Sequence, residues 1–205
     1  MDTNGTLLTK TLIDELAKAG LTCINLSLNA IDKEVASRLA GCQIDMKHVL
    51  EMGEYAKGRL GLLLAPLWVP GINDREMPRL IELAKAWGVR VAIQNFLGYK
   101  FGRNPVKAIA WGRFYSRLAE LEKEHGIKLI YSEADFKIRK TEQLKKPFRK
   151  GETIEAVVVA DGRLPQEKIA VASGRNISVM GCLKKGRIRV RITRDKHNIF
   201  FGRCV

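Results

Sequence analysis

Apolar runs of strand length return near residues 21, 60, 89 and 127, and helix-period segments fill the intervals between them. A strand followed by a helix about every thirty to forty residues is the spacing of a parallel α/β sheet or of part of a (β/α) barrel. Leu21–Leu28 reads as the first long strand. Leu60–Val69 is almost continuously apolar, as a parallel strand covered on both faces is. Val89–Leu97 and Ile127–Tyr131 complete the set. Thr9 is placed to cap a helix through Leu12, Leu16 and Ala17 that ends at Gly20. Asp32–Leu39 and Asp45–Lys57 read as helices. Met77, Leu80, Ile81 and Ala84 recur at i, i+3, i+4 and i+7, with Asn73 and Glu76 reading as a capping box and Gly88 as the stop. Asn104-Pro105 is expected to start a long helix through Ile109, Phe114, Leu118 and Leu121 to Gly126.

The period then stops. Residues 137–150 are basic and poor in apolar side chains, and read as a linker. From Gly151 five short strands separated by turn signals occupy about 55 residues, which is a small Greek-key barrel of OB-like size. The expected fold is therefore α/β, a partial parallel (β/α) barrel over 1–136, followed by a small OB-like all-β barrel over 151–205.

The charge divides at the same place. The chain's formal net charge is +14; residues 1–136 carry 18 basic and 16 acidic side chains, and residues 137–205 carry 18 and 6. An excess confined to one segment points to a polyanionic partner; the alternative is the lysine-rich surface of a thermophile protein. Arg187 to Arg194 alternates basic and apolar, so period two puts Ile188, Val190 and Ile192 on the core face and Arg187, Arg189 and Arg191 on the outer one. Same-face residues lie roughly 6.7 Å apart, a spacing suited to following phosphates. Like charges in a row repel, and a nucleic-acid backbone would offset that repulsion. A charged, protected sheet edge would give the same pattern. Lys184, Lys185 and Lys196 extend this candidate RNA surface, as do Arg139, Lys140, Lys145, Lys146 and Arg149 of the linker. One of Phe200 and Phe201 should face outward, where it can stack on a base.

Cys23, Cys42, Cys182 and Cys204 form no CxxC pair, so zinc is not expected, and buried thiols in a reducing, cytoplasmic compartment fit best. No signal peptide is read at the start, and the uncharged run from Leu60 to Asn73, broken by Pro66 and Pro70, is too short to span a bilayer; no membrane association is expected. His48, His125 and His197 receive no catalytic role, and no catalytic residue is assigned.

In parallel α/β folds ligands gather at the C-terminal ends of strands. Four such ends here carry amides or hydroxyls: Thr3-Asn4-Gly5, Ser27-Leu28-Asn29, Val69-Pro70-Gly71-Ile72-Asn73, and Gln94-Asn95. Singly, Asn4-Gly5 reads as a turn, Asn73 as a helix cap and Asn95 as a strand end. In this order they resemble the later half of a radical S-adenosylmethionine (SAM) barrel, in which a TNG, an SLD-like and a VPGINDxE-like segment close successive strands. The resemblance covers roughly residues 1–131. It implies that Asn4, Ser27, Asn29, Val69, Pro70 and Asn73 face S-adenosylmethionine, and that Gln94 and Asn95 border the substrate. The family's CxxxCxxC loop, which holds a [4Fe–4S] cluster, is not in this sequence. The chain is thus expected to be a fragment that begins at the third strand and does not generate the radical by itself. A barrel so cut would leave an open edge at Leu21–Leu28, and a homodimer through that edge is expected. The segment from Gly151 resembles a TRAM domain through "VVVADGRLPQE" and "GRNISV", which implies that the intact enzyme modifies an RNA, with tRNA the leading candidate. A non-catalytic RNA-binding protein on a half-barrel scaffold, or a radical SAM enzyme of a non-RNA substrate, are the alternatives.

Overall fold

Short polar side chains start three of the helices in the computed structural model, which describes residues 1–99, 104–136, 138 and 141–205. Thr9 accepts from the Leu12 N–H and caps α1 (Lys10–Lys18); Asp32 accepts from Glu34 and Val35 and caps α2 (Lys33–Ala40); Asp45 accepts from His48 and caps α3 (Met46–Lys57). Left-handed Gly41, Gly88 and Gly126 end α2, α4 (Glu76–Trp87) and α5 (Trp111–His125). The chain divides into two units, Met1–Ile138 and Arg139–Val205.

The first unit is α/β. Its strands β1 (Asp2–Thr3), β2 (Cys23–Leu26), β3 (Gly61–Leu64) and β5 (Arg90–Val91) form a parallel sheet in that order. A second parallel pair joins β4 (Leu67–Trp68) to β6 (Gln94–Asn95). The single runs expected over 60–69 and 89–97 are therefore each broken in two. Pro66 lacks an N–H and interrupts the ladder between β3 and β4, while its carbonyl still accepts from Gln94 at 2.8 Å. Ile24, Leu26 and Leu64 of the sheet and Met77, Leu80, Ile81, Leu118 and Leu121 of α4 and α5 are fully buried and make the core.

Three local expectations for this unit need correction. Helix α5 starts at Trp111 rather than near Asn104, because the Asn95 amide donates to the Ile109 carbonyl at 3.1 Å and holds that residue in the preceding loop. Residues 127–131 form no strand, because the Leu129 and Ile130 N–H groups are taken by the Glu122 carboxylate at 2.6 and 2.7 Å. The edge expected to be open at Leu21–Leu28 is covered by β1, with Asn25 donating to Met1 and Ser27 to Thr3, both at 2.8 Å.

The second unit is a closed five-stranded barrel of β7 (Thr153–Asp161), β8 (Glu167–Ala172), β9 (Arg175–Met180), β10 (Gly186–Arg194) and β11 (Phe200–Cys204). Around the barrel the order is β10-β11-β9-β8-β7, antiparallel throughout except for the parallel β9–β11 pair. Ile188, Val190 and Ile192 point inward with Ala170, Ile177 and Val179. Phe148, from the segment expected to be a linker, is buried in this core, edge-on to Phe200 with ring centroids 5.4 Å apart. The parallel register brings Cys204 beside the end of β9, and it pairs there with Cys182, their Cα atoms 5.9 Å apart. These two cysteines are thus a disulfide rather than the thiols expected, and Cys23 and Cys42 are free.

Carboxylates across both units are held below their ordinary range. A hydrogen bond to His125 does this for Glu82, one from Lys128 for Asp135, one from Lys168 for Asp161, and one from Ser178 for Glu167. A depressed folded-state pKa stabilises above the unfolded value and is lost as pH falls through the folded one. Thermal unfolding is therefore expected to be flat from pH 7 to 5 and to drop in temperature below about pH 4. A Glu82→Gln/Asp135→Asn variant should show a shallower drop; an acid limb identical to that of the parent would refute the assignment.

Candidate functional site

The polar strand ends are joined into one network. Asn73 is fully buried; its Oδ1 accepts from the Val69 N–H at 2.7 Å, and its Nδ2 donates to the Asn29 and Leu67 carbonyls at 2.8 and 2.9 Å. Asn29 Oδ1 in turn accepts from the Leu67 N–H at 2.8 Å. Glu76, only 3% exposed, accepts from the Ile31 and Asp32 N–H groups at 2.5 and 2.9 Å and pairs with Arg79. The capping box expected of Asn73 and Glu76 is therefore not formed: Arg75 occupies the N-cap position without a side-chain bond. Both residues instead tie the segment after β4 to the segment after β2, across 44 or 45 positions of sequence. Sequence reasoning missed Glu76 as a site residue; its place three residues beyond Asn73 was the available signal, read as a cap.

At the end of β1, Asn4 Oδ1 accepts from the Thr6 N–H and hydroxyl at 3.2 and 2.9 Å. Gly5 follows with φ +81°, and a Cβ there would stand 2.9 Å from Leu26 Cδ1, so only glycine fits between the turn and the sheet. Asn4, Ser27 and Asn29 line one small cavity of about 70 Å³. Asn29, Leu67 and Val69 line an adjoining one of about 380 Å³. Pro70 lies elsewhere: with Trp68 it lines a cavity of about 510 Å³ against Arg113 and Arg117 of α5. Strand alternation explains the division, since Leu67 and Val69 share one face and Trp68 and Pro70 the other. The two expected substrate residues both line a third cavity, of about 330 Å³, but differ in exposure. Gln94 is exposed, whereas Asn95 is buried against the loop before α5.

In the barrel, Arg187, Arg189 and Arg191 are exposed on alternate positions of β10, and none forms an ion pair among the described residues. Arg191 lies across from Arg203 of β11 and Arg189 across from Glu155 of β7. Strand β10 pairs with β7 over 186–191 and with β11 over 190–194, so Val190 and Arg191 are flanked on both sides while the Arg187 end is paired with β7 alone. Lys184, Lys185, Lys196, Lys145 and Arg149 are exposed, and Lys146 contacts Asp195 at 3.6 Å. Arg139 and Lys140 lie outside the described residues. Phe200 is buried, and half-buried Phe201 carries the Arg194 guanidinium 5.2 Å from its ring centroid.

Residues 1–84, which contain the Asn4, Ser27–Asn29 and Val69–Asn73 ends, match the sequence model of the radical SAM superfamily. An uncharacterized protein of Methanocaldococcus jannaschii is 37% identical over 235 aligned positions, covering 100% of this chain and 54% of that protein. GTP 3',8-cyclase of Nautilia profundicola is 33% identical over 97 positions, 47% of this chain and 30% of the cyclase. GTP 3',8-cyclase of Aliarcobacter butzleri is 32% identical over 99 positions with the same shares. The chain therefore spans 54% of the archaeal relative's length and 30% of each cyclase's. Radical SAM enzymes use S-adenosylmethionine and a thiolate-held [4Fe–4S] cluster. Among the described residues no three His, Cys, Asp or Glu side chains converge as a metal site, and two of the four cysteines are bonded to each other. The residues present do not fit the cluster, and no step through it is assigned to this chain. Among the described residues, no helix is long and apolar enough to cross a membrane.

Proposed function

We propose that this chain is the C-terminal portion of a radical SAM enzyme that modifies an RNA, with tRNA the leading substrate. In this reading the α/β unit is an arc of the family's (β/α) barrel, and the uncharged polar groups of Asn4, Ser27 and Asn29 face the adenosine part of S-adenosylmethionine. The five-stranded barrel, whose third and fifth strands run parallel as in OB-like modules, is a TRAM-like RNA holder. The observation that carries the RNA reading is the exposed Arg187–Arg189–Arg191 row, none of whose members is ion-paired among the described residues. Like charges so placed cost the isolated barrel stability, and a phosphate backbone offsets that cost by releasing counterions.

Titration of labelled tRNA at 50 and 200 mM salt tests it. Three phosphate contacts to a single-stranded segment give a log–log slope of about −2. An Arg187→Glu/Arg189→Glu/Arg191→Glu variant should bind on the order of a hundredfold more weakly and lose that slope. Binding indifferent to the three arginines would remove RNA from the reading and leave a radical SAM segment acting on another substrate.

A further inference from the structure

On the outer face of the barrel the strand register sets two arginines against each other. Arg191 of β10 lies directly opposite Arg203 of β11, and both are exposed. The same row continues to Thr153 on β7 and to Met180 on β9, neither of which carries charge. The carboxylate next along it, Glu167 of β8, already accepts from the Ser178 hydroxyl and the Leu164 N–H. Arg189 differs, because Glu155 stands opposite it. Neither Arg191 nor Arg203 forms an ion pair among the described residues. Like charges directly opposite in an antiparallel pair are destabilising. One phosphate, with oxygens turned to both guanidinium groups, removes that repulsion. A covalent bond holds the repelling pair in place. Cys204 follows Arg203 in β11, packs against the barrel core, and is bonded to Cys182, which is 1% exposed and two residues beyond β9. The bond therefore ties the end of β11 to the turn after β9, independently of the β10–β11 ladder. Past it, the Val205 N–H donates to the Arg189 carbonyl at 3.0 Å.

We propose that Arg191 and Arg203 form a two-strand clamp on one RNA phosphate, and that the Cys182–Cys204 bond keeps the clamp closed. This rests on the RNA reading and adds to it a contact residue, Arg203, and a control. An external dithiol opens the bond by exchange. One of its thiolates displaces the first cysteine, its second thiol displaces the other, and the products are two cysteine thiols and the oxidised, cyclic dithiol. Without the cross-link, repulsion between the two arginines loosens residues 203–205, and the phosphate loses one of its two donors.

Titration of labelled tRNA at 50 mM salt, with the chain oxidised and after treatment with dithiothreitol, tests it. The oxidised chain is expected to bind about tenfold more tightly, the scale of one charge-assisted hydrogen bond. Arg203→Ala, at an exposed position, should weaken the oxidised chain by about the same factor and abolish the difference between the two states. Its effect should shrink when Arg191 is already alanine, which a double-mutant cycle reads as coupling through the shared phosphate. Cys204→Ser should bind as the reduced parent does and ignore the dithiol. Hydrogen exchange supplies a readout without RNA: on reduction it should quicken over residues 202–205 and stay unchanged in β7 and β8. Equal affinity in the two states, a difference that survives Arg203→Ala, or an Arg203→Ala effect independent of Arg191 overturns the clamp. So does exchange that quickens equally over β7, β8 and β9, because the bond would then hold the whole barrel rather than this pair. Binding of tRNA that needs Arg187, Arg189 and Arg191 but ignores Arg203 and the dithiol removes the clamp and keeps the RNA reading. Absence of tRNA binding in both states removes the two together.

Discussion

Asn73→Ala is expected to destabilise the first unit by about 3 kcal/mol or more, because each buried polar group left unpaired costs about 1–3 kcal/mol. The amide satisfies one N–H and two carbonyls on three different residues, Val69, Asn29 and Leu67, from a position with no exposure to solvent. No neighbouring side chain replaces all three bonds at once. Asn73→Asp, isosteric, should be as damaging, since it sets a carboxylate oxygen against two carbonyls. All three tryptophans, Trp68, Trp87 and Trp111, are in this unit, so indole fluorescence during chemical unfolding follows it alone. Hydrogen exchange should quicken over residues 64–76 and stay unchanged in the barrel. A loss below about 0.5 kcal/mol, the ordinary scale of surface changes, would mean that the network does not hold the strand ends.

Gly202→Val is expected to have a comparable effect on the other unit. A Cβ at Gly202 would run into Val190 Cγ1 and stand 3.2 Å from the Arg191 carbonyl, with Ile177 Cγ2 at 3.6 Å. Strand β11 reaches β10 only because this residue has no side chain, and overfilling a packed interior costs about 1–3 kcal/mol. The barrel holds no tryptophan or tyrosine, so hydrogen exchange of β9, β10 and β11 is the measurement. Val190→Ala in the same chain should recover part of the loss, which a double-mutant cycle reads as coupling. Unchanged protection in the single variant would refute the close crossing.

Elements carried by local chemistry were legible in the sequence. Thr9, Asp32 and Asp45 cap the helices that their spacing announced, and the alternation from Arg187 to Arg194 was enough to sort β10 into core and surface. What was not legible depends on partners far along the chain. Glu122 takes the N–H groups that would have made a strand of 127–131, and Asn95 holds back the start of α5. At the site, the order of the polar ends was visible, but not that Asn73 and Glu76 are spent on backbone groups about 45 residues away. The one-turn spacing of Trp111 and Tyr115 was also visible, yet nothing local distinguished an exposed aromatic pair from a core one. The Cys182–Cys204 pair needed the parallel β9–β11 register, which no local pattern encodes.

That parallel register has a kinetic consequence. Strands β7, β8 and β9 are successive hairpins and can form within microseconds of one another. Strand β10 must instead find β7 across the intervening pair, and β11 must then insert between β10 and β9. Such closure bears its loop entropy before any contact rewards it, so the barrel is expected to complete in milliseconds to seconds. During that interval the segment Ile188–Ile192 is an unpaired, β-branched strand in a nascent chain, the kind of sequence that seeds aggregates. The arginines interleaved through it repel a second copy, and they act as gatekeepers before there is any folded surface for them to serve.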